Sequence, residues 1–211
     1  MSNYGPEEFT EQFTVSRETL RCLREFVSIL LHWQKSFNLI GPVTVREIWQ
    51  RHILDSAQIY RHLQTPGCLF DLGSGGGFPG FILAILGYPT VKLIESNGKK
   101  CTFLRNVSRL LGVEVEVIHS RIENYRPLKQ ATYITSRALA PLEKLLAYSE
   151  PLLSQYGRCF FLKGANAERE LTNAKKTWII QVQKHVSISD PNGIILEIGG
   201  ITSIDRKSKK L

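Results

Sequence analysis

The stretch Phe70-Asp71-Leu72-Gly73-Ser74-Gly75-Gly76-Gly77-Phe78-Pro79-Gly80 constrains this chain more than any other. It packs five glycines into the eight residues 73–80, after the apolar run Cys68 to Leu72 and into the start of the run Pro79 to Leu86. Glycine lets a backbone turn sharply and approach a ligand with no Cβ in the way, and Pro79 suits the first turn of a helix. A strand, a glycine turn and a helix in that order leave free N–H groups and partial positive charge over the strand end, where an anionic or nucleotide ligand binds. Gly75, Gly77 and Gly80 satisfy GxGxxG, so a dinucleotide site is one reading; alone, that match is weak.

The chain around the loop predicts an α/β fold. Short apolar runs at Cys68 to Leu72, Val91 to Glu95, Val113 to Ile118, Tyr133 to Ser136 and Cys159 to Leu162 read as strands. Helical segments at about Pro79 to Leu86, Asn97 to Leu111, Pro141 to Leu153 and Asn166 to Thr177 alternate with them, which implies a mostly parallel sheet covered on both faces. The alternation breaks at the end: Ile179 to Ser189 and Ile194 to Ile198 flank Asp190-Pro191-Asn192-Gly193, a strong turn signal that predicts a closing antiparallel hairpin. Ahead of the loop the period is helical. Leu20, Leu23, Val27, Leu30, Leu31 and Phe37 stripe one face between Ser16 and Phe37. Thr44 and Glu47 match a capping box that opens a second helix, with Ile48, Trp49, Ile53, Leu54 and Ala57 as its apolar face. Residues 1–65 are therefore expected to be a helical cap packed on a core of residues 66–211.

Charge narrows the partner. The chain of 211 residues carries a formal net charge of +8, and up to Pro66 seven basic residues balance seven acidic ones. The whole excess lies beyond Gly67, with Arg206, Lys207, Lys209 and Lys210 supplying half of it. A polyanion such as nucleic acid is the matching partner. The longest uncharged apolar stretch, Phe78 to Tyr88, is about half of what a bilayer span needs, and MSNYGPEEFTEQF has no basic segment followed by an apolar core. A cytoplasmic protein with no membrane partner is expected. Cys22, Cys68, Cys101 and Cys159 are scattered without metal-ligand spacing, so neither a metal nor a disulfide framework is expected.

Two features favour S-adenosylmethionine over a nicotinamide dinucleotide. Asp71 directly precedes the glycines, giving DxGxGxG, where a sulfonium and an ammonium tolerate negative charge better than a pyrophosphate does. The antiparallel hairpin is foreign to dinucleotide folds. Asp71, Gly73, Gly75 and Gly77 are thus expected around the cofactor, with Glu95, at the end of the second strand, placed to accept from ribose hydroxyls.

DLGSGGGFPG, IESNGKKCTFLRNV, SRALAPL and FFLKG, with RHILDS upstream, resemble the bacterial glucose-inhibited division protein B (RsmG/GidB) family. The match runs collinearly from about Asn38 to Gly164. It implies a class I S-adenosylmethionine-dependent methyltransferase, a Rossmann-like, mostly parallel seven-stranded sheet with an antiparallel C-terminal hairpin and an N-terminal helical extension. It also implies a substrate, 16S rRNA or the small ribosomal subunit, methylated at N7 of a guanine near the decoding centre, guanine 527. By the same resemblance Gly73 and Phe78 line the cofactor, Ile122 and Glu123 sit by its adenine, and Arg137 reaches the active-site cleft. The basic tail matches no motif of the family.

The remaining residues fit that acceptor. No cysteine follows a proline or the fourth strand, as pyrimidine C5 methylation requires, and Ser136-Arg137-Ala138 stands where amine methylation uses Asn-Pro-Pro-aromatic. Guanine N7 already offers a lone pair, so no general base is required. Arg137 is the candidate catalytic residue, its planar fork suited to a phosphate, guanine O6 or the cofactor carboxylate, with a loop-holding salt bridge as the bland reading. His52 and Asp55, three apart on the predicted helix, read as a packing or hydrogen-bonding device. Lys99, Lys100 and Arg105 are candidate RNA contacts against a default of a solvated helix face, and Lys163, at the end of the fifth strand, reads equally as an RNA phosphate contact or a solvated lysine. A nicotinamide-dependent oxidoreductase and a non-enzymatic RNA-binding assembly factor remain as alternatives.

Overall fold

The computed structural model describes residues 4–204, so the basic tail, Arg206 to Leu211, lies outside the described residues. Seven strands form one sheet in the order β3-β2-β1-β4-β5-β7-β6. β1 (Leu69–Leu72), β2 (Val91–Glu95), β3 (Glu116–His119), β4 (Ala131–Arg137) and β5 (Leu153–Lys163) run parallel. β7 (Ile194–Ser203) inserts antiparallel between β5 and β6 (Trp178–Val186), which makes the expected hairpin. The helices are α1 (Pro6–Gln12), α2 (Arg17–Gln34), α3 (Asp55–Ala57), α4 (Gly80–Ile85), α5 (Gly98–Leu111), α6 (Leu142–Ser149) and α7 (Ala167–Ala174).

The strand pleat sends alternate side chains into two core layers. Leu69, Leu93, Tyr133 and Phe160 face one layer, with Phe81 of α4 and Phe103 of α5. Phe70, Ile94, Ile134 and Phe161 face the other, beneath Leu145 of α6 and Leu171 of α7. The first layer also takes in the N-terminal helices. Phe26 of α2 is fully buried, with ring centroids 5.3 Å from Phe81 and 5.6 Å from Phe78. Burying such a side chain contributes about 1.5–3 kcal/mol, which a helix as amphipathic as α2 cannot gain alone in water. Local chemistry sets the helix ends: Ser16 Oγ accepts from Thr19 N at 3.1 Å ahead of α2, and Asn97 Oδ1 accepts from Lys99 N and Lys100 N ahead of α5.

Several boundaries differ from the sequence expectation. α1 was not anticipated. No regular helix starts at Thr44; Pro42–Glu47 is a 3-10 turn, Trp49–Leu54 a π-helical segment, and Gln58–His62 a second 3-10 turn after α3. The capping box fails because Pro42 opens the turn two residues earlier and Thr44 Oγ1 instead donates to Gly41 O at 2.9 Å. β3 begins three residues later than Val113, β5 begins six residues before Cys159, and α6 stops at Ser149. The hairpin strand β7 runs on to Ser203, paired along β6.

Candidate active site

A cavity of about 620 Å³ opens at the C-terminal ends of β1, β2 and β4. Strand order reverses there, β2 lying on one side of β1 and β4 on the other, and crevices of open α/β sheets form at that point. Of the expected residues, Gly73, Gly75, Phe78, Glu95, Lys100, Ile122, Glu123 and Arg137 line it.

The loop is folded by its own sequence. Gly73 and Gly75 have φ of +68° and +55°, a region that favours glycine. A Cβ on Gly73 would lie 2.6 Å from Leu139 Cδ1, whereas one on Gly75 would meet nothing closer than 3.7 Å. Glu95 ties the loop to α5: Oε2 accepts from Gly75 N at 2.9 Å and Oε1 from Asn97 N at 2.7 Å. Each oxygen keeps a further lone pair for a ligand in the cavity. Across the cavity, Glu123 Oε1 accepts from Tyr148 Oη at 2.7 Å, beside Ile122.

Two loop residues are not where a ligand contact would put them. Asp71 is fully buried within β1 and does not line the cavity. Its Oδ1 accepts from Thr135 Oγ1 at 2.7 Å, while Oδ2 has no hydrogen-bond partner among the described residues. Burial raises its pKa from 3.8 to about 6, against the Thr135 bond that lowers it. Gly80 packs on it, because a Cβ there would come within 2.5 Å of Asp71 Cβ. Gly77, at φ +95°, likewise faces Phe81, Leu104 and Phe26 under the cap. Both serve the packing of α4 and α2 against the loop.

The candidate RNA contacts divide similarly. Lys100 lines the cavity and Lys99 is exposed outside it. Arg105 is exposed and donates to Val117 O at 3.1 Å. Lys163 is neither a solvated lysine nor a free phosphate contact. Its side chain is 9% exposed, and Nζ bonds Ala140 O and Glu170 Oε2, each at 2.8 Å, because α7 lays Glu170 over the end of β5.

Arg137, at the end of β4, enters the cavity and meets the RHILDS segment. Nη1 donates to Arg51 O at 2.8 Å and lies 3.6 Å from Asp55 Oδ2; Nη2 lies 2.6 Å from His52 Nδ1. The guanidinium also sits 4.9 Å from the Phe78 ring centroid. Burial lowers the Arg137 pKa against the opposing pull of Asp55, and burial raises that of Asp55 against the pull of Arg137. Asp55 Oδ1 accepts from Ser189 Oγ at 2.6 Å and from Gln58 Nε2 at 3.0 Å, and Arg51 pairs with Asp190, so the hairpin turn is fastened to the same segment. His52 and Asp55 are thus the hydrogen-bonding device that the sequence suggested, and what they hold is Arg137. Thr44, Ser189, Lys144 and Tyr148 were not anticipated. Only the short RHILDS match pointed toward this wall.

A second cavity, about 450 Å³, adjoins the first and shares Arg51, Asp55, Arg137, Ala138 and Leu139 with it. Ala138, in the shared wall, has φ +51°, a strained conformation for a residue with a Cβ. Among the described residues no helix is long and apolar enough to cross a membrane.

Similar proteins share this arrangement at two depths. Solved structures share the fold: a ribosomal protein L11 methylase from Lactobacillus delbrueckii subsp. bulgaricus superposes with a TM-score of 0.56 at 19% identity, covering 69% of this chain and 76% of that one. TYW2 from P. horikoshii, solved in complex with MeSAdo, superposes with a TM-score of 0.55 at 13% identity over 75% of this chain and 63% of that one. Whole-length relatives are much nearer in sequence. Ribosomal RNA small subunit methyltransferase G of Paramagnetospirillum magneticum is 47% identical over 92% of this chain and 95% of its own length, and that of Rhodospirillum rubrum 42% identical over 93% and 98%. Residues 19–194 match the family GidB, described as rRNA small subunit methyltransferase G, and the chain belongs to that family.

Proposed function

We propose that this protein is an S-adenosylmethionine-dependent methyltransferase of the small-subunit rRNA, with N7 of guanine 527 in 16S rRNA as acceptor. In this reading residues 1–65 cap a methyltransferase domain of residues 66–211, and the protein works in the cytoplasm on rRNA or on the small ribosomal subunit. The observation that carries it is Arg137, standing in the wall shared by two cavities, one lined by the glycine loop and Glu95, the other by the loop after β4.

The donor set of the first cavity fits an amino-acid nucleoside. Glu95 and Glu123 offer carboxylate acceptors, Ile122 and Phe78 apolar surface, and Lys100 and Arg137 cations for a carboxylate. Gly75 leaves room where a side chain would project. When bound, S-adenosylmethionine supplies a methyl group on a sulfonium, open to direct displacement. The chain must then orient the acceptor and exclude water. Arg137, pinned on both Nη atoms, gives a fixed cation at the junction for a phosphate or guanine O6. The His52 lone pair is already taken by Arg137, so that imidazole is not offered as a base. Guanine N7 needs none.

The experiment is calorimetric titration of the full chain with S-adenosylhomocysteine and with NADH. The methyltransferase reading expects binding of the first alone. Binding of NADH would favour the oxidoreductase, and binding of neither would favour an assembly factor that keeps the fold for RNA.

A further inference from the structure

We infer that His62, His185 and Glu197 form a binding site for a divalent transition metal of the zinc class, which clips the N-terminal helices to the C-terminal hairpin. The three come from separate elements: His62 ends the 3-10 turn Gln58–His62, His185 lies on β6, and Glu197 on β7. In the β6–β7 register His185 opposes Ile195 and Glu197 opposes Gln183, so the two side chains are diagonal neighbours on one face of the hairpin.

One ligand atom from each residue lies within 4.8 Å of the others. His185 Nε2 is 2.8 Å from Glu197 Oε2, and the His62 and His185 ring centroids are 4.0 Å apart. Zinc holds nitrogen and oxygen ligands at about 2.0–2.2 Å, so ligand atoms around a tetrahedral ion lie roughly 3.3–3.5 Å apart. Around an ion the His185–Glu197 pair, at 2.8 Å, opens by about 0.5 Å, and atoms as far apart as 4.8 Å close by about 1.5 Å, both within reach of side-chain rotation. Two imidazoles and a carboxylate are ligands that zinc accepts, with water completing the fourth position.

The surroundings are built to hold these groups. His62 stacks on Phe160 with centroids 5.9 Å apart, and its ring nitrogens make no hydrogen bond among the described residues. Arg158 Nε lies 3.8 Å from Glu197 Oε1, and Arg158 is itself fixed through Nη1 to Tyr156 O and Gly157 O. Arg158 thus faces Oε1 at ion-pair distance, and Oε2 is the oxygen turned toward His185. His185 and Glu197 side chains are 17% and 21% exposed, enough for an ion and its water to enter. None of the three residues lines either cavity of the proposed active site.

The test uses tag-free full-length protein, Zn²⁺ as the titrant and Co²⁺ as the optical probe. The inference expects one Zn²⁺ per chain, a rise in melting temperature on adding Zn²⁺ that a chelator reverses, and a Co²⁺ spectrum of nitrogen and oxygen ligation without a thiolate charge-transfer band. His62→Phe keeps the stack on Phe160 and removes one ligand, so it should stay folded and lose more than the roughly 10–100-fold that even an outer-shell change costs in affinity. Glu197→Gln should lose a comparable factor, and metal-free His62→Phe should bind S-adenosylhomocysteine as the wild type does. Unchanged Zn²⁺ affinity in His62→Phe, a thiolate band, or no stoichiometric binding by the wild type would each overturn the site and leave an ordinary His185–Glu197 hydrogen bond.

Discussion

Arg137 Nη2 lies 2.6 Å from His52 Nδ1, and because a guanidinium can only donate, this contact fixes the imidazole as an acceptor. The remaining proton is then on Nε2, which donates to Thr44 Oγ1 at 2.7 Å, and Thr44 Oγ1 donates to Gly41 O at 2.9 Å. The chain of donors has one direction from Arg137 to the backbone of Gly41. Burial first, then Arg137 and Arg51, lowers the His52 pKa from 6.5 to about 3. A charged His52 would have no lone pair for Arg137.

Substituting Arg137 should therefore affect both turnover and stability. Arg137→Ala leaves His52 and Asp55 without their cation, and because the Arg137 and Asp55 side chains are each 17% exposed, breaking the pair should cost at most about 3 kcal/mol. Arg137→Lys keeps the charge and loses the fork, so it should melt nearer the wild type. Both should lose at least about tenfold in turnover, equivalent to about 1.4 kcal/mol of transition-state stabilisation. Wild-type turnover in a folded Arg137→Ala enzyme would remove the residue from the site.

His52 carries an acid-side signature. Its folded pKa is depressed, so its contribution to stability is complete above the unfolded value near 6.5 and declines as pH falls toward about 3. One proton taken up on unfolding gives a slope of about 1.4 kcal/mol per pH unit. His52→Gln should remove that slope from denaturation curves measured between pH 6.5 and 4. An unchanged slope would mean that the imidazole titrates normally.

Asp71 acts in the opposite sense. Its folded pKa is raised from 3.8 to about 6, so the stability tied to the neutral carboxyl is complete below about pH 4 and is lost as pH rises through about 6. A shift of that size is worth on the order of 3 kcal/mol. Asp71→Asn can keep an acceptor for Thr135 and avoids the ionisation, so it should gain on the wild type as pH climbs from 4 to 7. A pH-independent difference between the two proteins would contradict the buried, raised carboxyl.

The glycines separate by role. Gly75→Val puts a branched side chain at φ +55° where the cavity is open, and should abolish S-adenosylhomocysteine binding in a protein that still melts cooperatively. Gly77→Ala adds a Cβ 3.0 Å from Phe81 Cβ at φ +95°, and should cost at least the roughly 1–2 kcal/mol of a left-handed residue in stability. If Gly77→Ala loses affinity without loss of melting temperature, Gly77 touches the ligand after all.

The fold was legible where its signals are local. Strand and helix periods alternate within ten to fifteen residues, and the glycine loop and the Asp190–Gly193 turn mark the joints. Asp71 was misplaced because DxGxGxG reads as ligand-facing, whereas all four residues of β1 are buried. Lys163 read as either a phosphate contact or a solvated lysine because nothing in its own segment shows that Glu170 lies over it. The Arg137 network and the His62, His185 and Glu197 cluster were not legible, since packing of the N-terminal helices brings together residues 85 apart in the first case. In the second, His62 meets a hairpin more than a hundred residues later.

The central claim is methyl transfer to one guanine of the small-subunit rRNA. The direct measurement is a mass map of methylated guanines in 16S rRNA from cells with and without this protein, repeated with the Arg137→Ala variant as sole copy. The account predicts that one N7-methylguanine, at position 527, disappears without the protein and is strongly reduced with the variant. An identical map in all three strains, or loss of a methyl group from a position other than a guanine N7, would contradict it.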